Sequence, residues 1–131
     1  MEYKHTEITE KIISAAFEVH NKLGAGFLER VYHSAMNIAL KQKGLAFESE
    51  KEYKIFYDGH EIALHRLDLV VEDKVVVELK SMIGEMPNVY RAQVLSYMKV
   101  SNLEVGLLIN FGNESLDIKR LTPYKRDYKM R

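Results

Sequence analysis

An α/β domain with a mixed sheet is what this sequence predicts. Two opening stretches carry apolar residues at three- and four-residue steps and read as helices. Three stretches of alternating or continuous β-branched and aromatic residues follow, separated by turn signals. A third helical pattern comes next, and two further apolar runs follow it. Strand, helix, strand in that order implies one parallel pair closed within the sheet. The predicted element order is α-α-β-β-β-α-β-β.

The first helix is expected from Glu7 to Leu23, with Ile8, Ile12, Ala15, Ala16, Val19 and Leu23 on one stripe and Glu10, Lys11 and Glu18 off it. Gly24-Ala25-Gly26 stops it. The second helix is expected from Phe27 to Lys43, burying Leu28, Val31, Tyr32, Ala35, Ala39 and Leu40, and Gly44 ends it. Leu45 to Tyr57 turns extended, and Asp58-Gly59 is a hairpin turn signal. His60 to Val71 forms the next strand, and Lys74 to Lys80 returns antiparallel. Ser81 to Pro87 is a loop, with Pro87 suited to the first turn of a third helix from Asn88 to about Val100. That helix turns Val94, Leu95 and Met98 inward. Val105 to Ile109 is a continuous apolar run, as in a strand buried on both faces, and Leu116, Ile118 and Leu121 suggest a last strand before Thr122-Pro123.

At 131 residues the chain has the length of one domain, 1–131, with a substantial core. It has no cysteine, which excludes disulfides, thiolate nucleophiles and thiolate metal sites. No apolar run approaches the ~20 residues of a membrane span, and Met1-Glu2-Tyr3-Lys4-His5 has no signal-peptide pattern, so no membrane association and a cytoplasmic location are expected. The 19 basic residues balance 19 acidic ones, so nothing global announces a nucleic-acid binder. Only the C-terminal stretch is biased, with Lys119, Arg120, Lys125, Arg126, Lys129 and Arg131 against Asp127.

The chemistry-bearing residues cluster on the central hairpin. Asp68, Glu78 and Lys80 interrupt strands that are otherwise apolar. With Glu72-Asp73-Lys74 as the turn, Val71 pairs with Val75, and the same register sets Asp68 opposite Glu78 and Arg66 opposite Lys80. Two facing carboxylates repel unless a proton or cation lies between them, which asks for a metal ion. An exposed sheet edge with an ion-pair ladder fits the same residues, and spacing alone leaves both readings open. Glu29 adds an acid near the start of the second helix, at its third position if Gly26 is the cap, where a carboxylate can also serve the helix end. Tyr32 follows on the same face and suits the core. Gln93 and Tyr97, four apart on the third helix, offer an amide and a phenol able to orient water or a phosphate oxygen. His5, His20, His33, His60 and His65 show no metal-ligand spacing, and no serine lies in a nucleophile-elbow context.

Taken together, Leu23-Gly24-Ala25-Gly26, Gly26-Phe27-Leu28-Glu29-Arg30-Val31-Tyr32, Asp68-Leu69-Val70-Val71, Glu78-Leu79-Lys80, Gln93-x-x-x-Tyr97 and Leu107-Leu108-Ile109-Asn110-Phe111-Gly112 resemble the GxxExxY proteins. These form a group within the PD-(D/E)XK, or restriction endonuclease-like, nuclease superfamily. The resemblance covers about residues 8 to 121, and one departure is Leu67 where a proline precedes the aspartate in the pattern. It implies an αβββαβ core, to which the first helix and last strand are additions. It further implies that Asp68, Glu78 and the Leu79 carbonyl hold Mg²⁺ or Mn²⁺, with Glu29 reaching in directly or through water. Lys80 would position the attacking water and stabilise charge on the phosphate, and Gln93 with Tyr97 resembles the Q-x-x-x-Y element of RecB-type nucleases. The implied activity is metal-dependent hydrolysis of nucleic acid, DNA rather than RNA. A neutral domain grips phosphate weakly, which invites a homodimer or a partner protein. The rivals are an inactive nucleic-acid- or metal-binding module and a protein–protein interaction domain on the same fold.

Overall fold

A computed structural model describes residues 4–123. Its elements are α1 (Thr6–Leu23), α2 (Glu29–Gln42), β1 (Phe47–Tyr57), β2 (His60–Val71), β3 (Val75–Lys80), α3 (Asn88–Ser101), β4 (Val105–Asn110) and β5 (Asp117–Leu121). The five strands form one sheet in the order β1-β2-β3-β4-β5. All neighbours are antiparallel except β3 and β4, which α3 connects as a parallel pair. The element order and the mixed sheet are those expected, with α1 before and β5 after an αβββαβ core. The biased C-terminal residues beyond 123 lie outside the described residues. Among the described residues no helix is long and apolar enough to cross a membrane.

Two apolar clusters hold the layers together. On one face α1 and α2 pack Ile12, Ala16, Tyr32, Met36 and Leu40 against Leu69, Val71, Val77, Leu79 and Ile109 of the sheet. On the other, Val94, Tyr97 and Met98 of α3 cover Leu67, Val70, Val76, Leu108 and Leu121. Covering both faces explains why β3 and β4 read as continuous apolar runs. Each fully buried side chain of this size contributes on the order of 1.5–3 kcal/mol. Gly106 lets α3 lie close on β4, because a Cβ there would stand 2.8 Å from Val94 Cγ1 and Met98 Sδ.

The start of α2 departs from expectation. The helix begins at Glu29, not Phe27, and Leu28, expected in the core, is 64% exposed. The cause lies in the turn before it. Gly24 and Gly26 take φ of 73° and 111°, which only glycine adopts without strain. The buried Tyr32 hydroxyl then donates to Gly24 O at 2.5 Å and accepts from Phe27 N at 3.2 Å. That clasp holds the turn outward and keeps Phe27 and Leu28 from folding inward. Tyr32 stacks on Phe111 at 4.7 Å, so its core reading holds.

The central hairpin also differs from simple alternation. On β2, Leu69 and Val71 face α1 and α2, whereas Leu67, of the same parity, faces α3. On β1, Phe47 and Tyr53 divide the same way. The swap falls at Glu50 (φ 56°), which sits between the pairs Ser49–Leu69 and Lys51–Leu67 and so lies across from Asp68. A left-handed residue inside a strand twists the ladder locally and re-aims the side chains beyond it.

Candidate metal and active site

The site lies where β2 and β3 part. Their backbone pairing runs from Val71–Val75 through Val70–Val76 to Leu69–Val77 and stops there. The pairing expected between Arg66 and Lys80 does not form; Arg66 instead bonds Glu52 on β1 at 2.9 Å. In place of the next ladder bond, Asp68 Oδ2 accepts from Leu79 N at 2.8 Å. The side chain thereby bridges the opening strands and is held beside Glu78. Glu78 is buried, at 5% exposure, and its Oε1 has no hydrogen-bond partner. Lys80 Nζ lies 3.8 Å from Glu78 Oε2 and 4.3 Å from the centre of the Tyr90 ring.

Burial and like charge act in the same direction on the acids. Glu78 is pushed up to about 8, first by desolvation and then by the Asp68 carboxylate, with Lys80 offsetting part and Glu29 adding to it. Asp68 is raised by desolvation, against the Leu79 N–H, His33 and Lys80. Glu29, the first residue of α2 and not the third, is raised by desolvation and by Asp68, against Lys80 and His33. Three acids from three elements therefore share one field that Lys80 and His33 compensate only in part. From α3, Tyr97 is raised by its burial, then by Glu78 and Asp68, while a hydrogen bond from Gln93 opposes the shift. The Tyr97 ring stands edge-on to His65 at 5.3 Å, and Gln93 Oε1 and His65 Nδ1 are both buried without a partner.

The sequence-predicted residues thus converge: Asp68 and Glu78 with Leu79 between the strands, Lys80 beside them, Glu29 from α2, and Gln93 with Tyr97 from α3. Among the described residues, no three of His, Cys, Asp and Glu stand together as a ligand group. The tight carboxylate set is the pair Asp68 and Glu78, with Glu29 as a nearby charge. An unpartnered buried carboxylate oxygen, a second carboxylate and backbone oxygen form a hard donor set that fits Mg²⁺ or Mn²⁺.

Three neighbours carry no signal in the sequence taken residue by residue. His33 lies one turn after Glu29 and bonds Ser49 Oγ at 2.7 Å. Tyr90 precedes Tyr97 by two helical turns, and His65 reaches Tyr97 only because β2 swaps faces. Helical spacing from Glu29 and Tyr97 would have pointed to the first two. His20 is not a site residue; it ties α1 to Asn113 O at 2.9 Å.

Residues 6–121 match a sequence model described as the PD-(D/E)XK nuclease superfamily. Among solved structures, the crystal structure of SSO0001 is similar in fold, at 21% sequence identity and a TM-score of 0.61 over 94% of this chain. The chain spans 61% of the length of that protein. No curated protein sequence matches it.

Proposed function

The chain belongs to the PD-(D/E)XK nuclease superfamily, and on that premise we propose that it is a metal-dependent nuclease cutting DNA rather than RNA, of the GxxExxY type. The observation that carries this reading is the pair of half-buried Asp68 and buried Glu78 with Lys80 beside it, where Glu78 Oε1 lacks any donor. A buried acid arranged this way costs stability unless a proton or cation compensates it. Asp68, Glu78 and the Leu79 carbonyl would hold Mg²⁺ or Mn²⁺, with Glu29 acting directly or through water. When bound, the ion supplies Lewis-acid stabilisation of the phosphate and lowers the pKa of bound water.

The chain's own residues do the rest. Lys80 is held between Glu78 and the face of Tyr90, which supports a role for its ammonium in positioning the attacking water. There it stabilises charge as the P–O ester bond breaks and the leaving oxygen takes a proton. Tyr97, steadied by Gln93 and His65, orients the phosphate from the α3 side. A homodimer or partner protein would add the phosphate-binding surface that a chain of zero net charge lacks.

The test is to incubate the purified protein with single-stranded DNA, duplex DNA and RNA, with Mg²⁺ or Mn²⁺. Cleavage is expected on DNA, and EDTA, Asp68→Ala and Lys80→Ala should each abolish it. Binding without cleavage across all substrates would turn the reading toward an inactive binding module. With no nucleic-acid binding and no rise in Tm on adding either ion, a protein interaction domain would stand instead.

A further inference from the structure

Two large apolar side chains are presented to solvent on loops that adjoin Glu29 and Lys80 in the chain, each on a backbone held in place. Phe27 is 46% exposed, although its N–H donates to Tyr32 Oη at 3.2 Å and its carbonyl accepts from Ser81 Oγ at 2.6 Å. Its ring leans edge-on against buried Tyr32 at 6.1 Å and 76°. Ile83 is 89% exposed. The residue before it is clamped at both backbone groups by the buried Asn110 amide, at 3.0 Å each. The residue after it, Gly84, is clamped likewise by Asn113 at 2.7 and 2.9 Å. Chance exposure on a loose loop does not look like this: polar anchors hold the chain so that the apolar groups stay outside.

Their position connects them to the chemistry. Phe27 lies two residues before Glu29, and the Ser81 that bonds its carbonyl directly follows Lys80. The two loops therefore meet at the rim of the site. We propose that Phe27 and Ile83 form a preorganised rim that receives an unpaired DNA base next to the phosphate at Lys80. The protein's preferred substrate is then a single strand or an unpaired end. The inference rests on the nuclease reading above for the site it adjoins.

The physical argument is one of surface. Every base offers a π-face, but in a continuous duplex both faces are already stacked, so an aromatic platform is usable only by an unpaired base. A branched aliphatic group can lodge against the same base edge or between neighbours, as apolar wedges do. With 19 basic and 19 acidic residues the chain draws little from counterion release, so base stacking is the term left to supply affinity. Because the anchors already fix both loops, little conformational entropy is lost on binding.

The test measures binding apart from cleavage. In EDTA, anisotropy with a fluorescent single-stranded oligonucleotide and its duplex should show the single strand bound more tightly. Phe27→Ala should weaken single-strand binding about 5- to 150-fold, the range for one stacked base, and leave duplex binding unchanged. Phe27→Tyr should retain the affinity and Phe27→Leu should lose it, since only the former keeps the ring. Ile83→Ser, at a side chain almost wholly in solvent, should weaken binding without moving Tm. Equal affinity for duplex and single strand, or wild-type binding by Phe27→Ala and Ile83→Ser, would overturn the proposal. A shift in oligomeric state by these variants with DNA binding intact would also overturn it, and would make the rim an interface between copies. Cleavage lost in Lys80→Ala with Mg²⁺ present tests the nuclease reading, and single-strand binding lost in Phe27→Ala in EDTA tests the rim, so the two readings fail separately.

Discussion

The two ends of the β2–β3 hairpin are built from the same strands and do opposite things. Near the turn, Val70, Val71, Val75, Val76 and Val77 are paired, apolar and almost wholly buried. One step beyond Leu69–Val77 the strands part, and the side chains that follow are Asp68, Glu78 and Lys80. The closed end takes its stability from burial on both faces. The open end spends some of it by burying an acid, Glu78, whose Oε1 has no partner. The lesson is that the fold does not need the charges where they sit, which is a reason to read them as functional.

The sharpest break in this comparison is in catalysis. Asp68→Asn keeps an oxygen for the Leu79 N–H but removes the charge, so cleavage should fall by at least about 10²–10³-fold while Tm holds or rises. If Asp68→Asn instead unfolds the protein, the open end is structural. The closed end should answer the other way. Leu69→Ala, at a fully buried side chain, should cost about 2–5 kcal/mol in chemical denaturation, with specific activity of the folded fraction retained.

A pH series sharpens the same contrast. Glu78 stands at about 8 in the folded protein against an ordinary value of 4.5. Between those values the folded state binds the extra proton, so stability of the metal-free protein should fall as pH rises through this window. Mg²⁺ must displace that proton, so the Tm gain on adding Mg²⁺ should be larger at pH 8 than at pH 6. Glu78→Gln should flatten both dependences. A slope unchanged in Glu78→Gln would assign the titration elsewhere. The smallest effect belongs to Arg66→Ala: its bond to Glu52 is exposed, and thermal melts should not distinguish the variant from wild type.

Much of this was legible along the chain. His60 to Val71 is the second strand as read, the Asp58-Gly59 turn is present with both residues at positive φ, and β3 and β4 are the parallel pair. These follow from period-two alternation, turn chemistry and connection order, all local properties. The helix start at Glu29 was not legible, because the Tyr32 clasp that pushes Leu28 outward closes across residues that a helical pattern treats as continuous. Nor was the burial of Tyr97, which joins the expected Val94, Leu95 and Met98 on the α3 cluster; how far that face extends depended on where the sheet put Leu67 and Val70.

What the sequence determined by itself was the set of elements, their order, and which charged side chains stand in strands that have no structural need of them. Only the tertiary structure decided how those charges meet. Parity along β2 would carry the Asp68 face onward to Arg66, opposite Lys80 of β3, but pairing ends at Leu69–Val77 and the face swaps across from Glu50. A strand's period is enforced by its ladder. Once the ladder stops, hydrogen bonds such as Leu79 N to Asp68 Oδ2 and packing against α2 and α3 set direction, and these depend on residues far away in the chain.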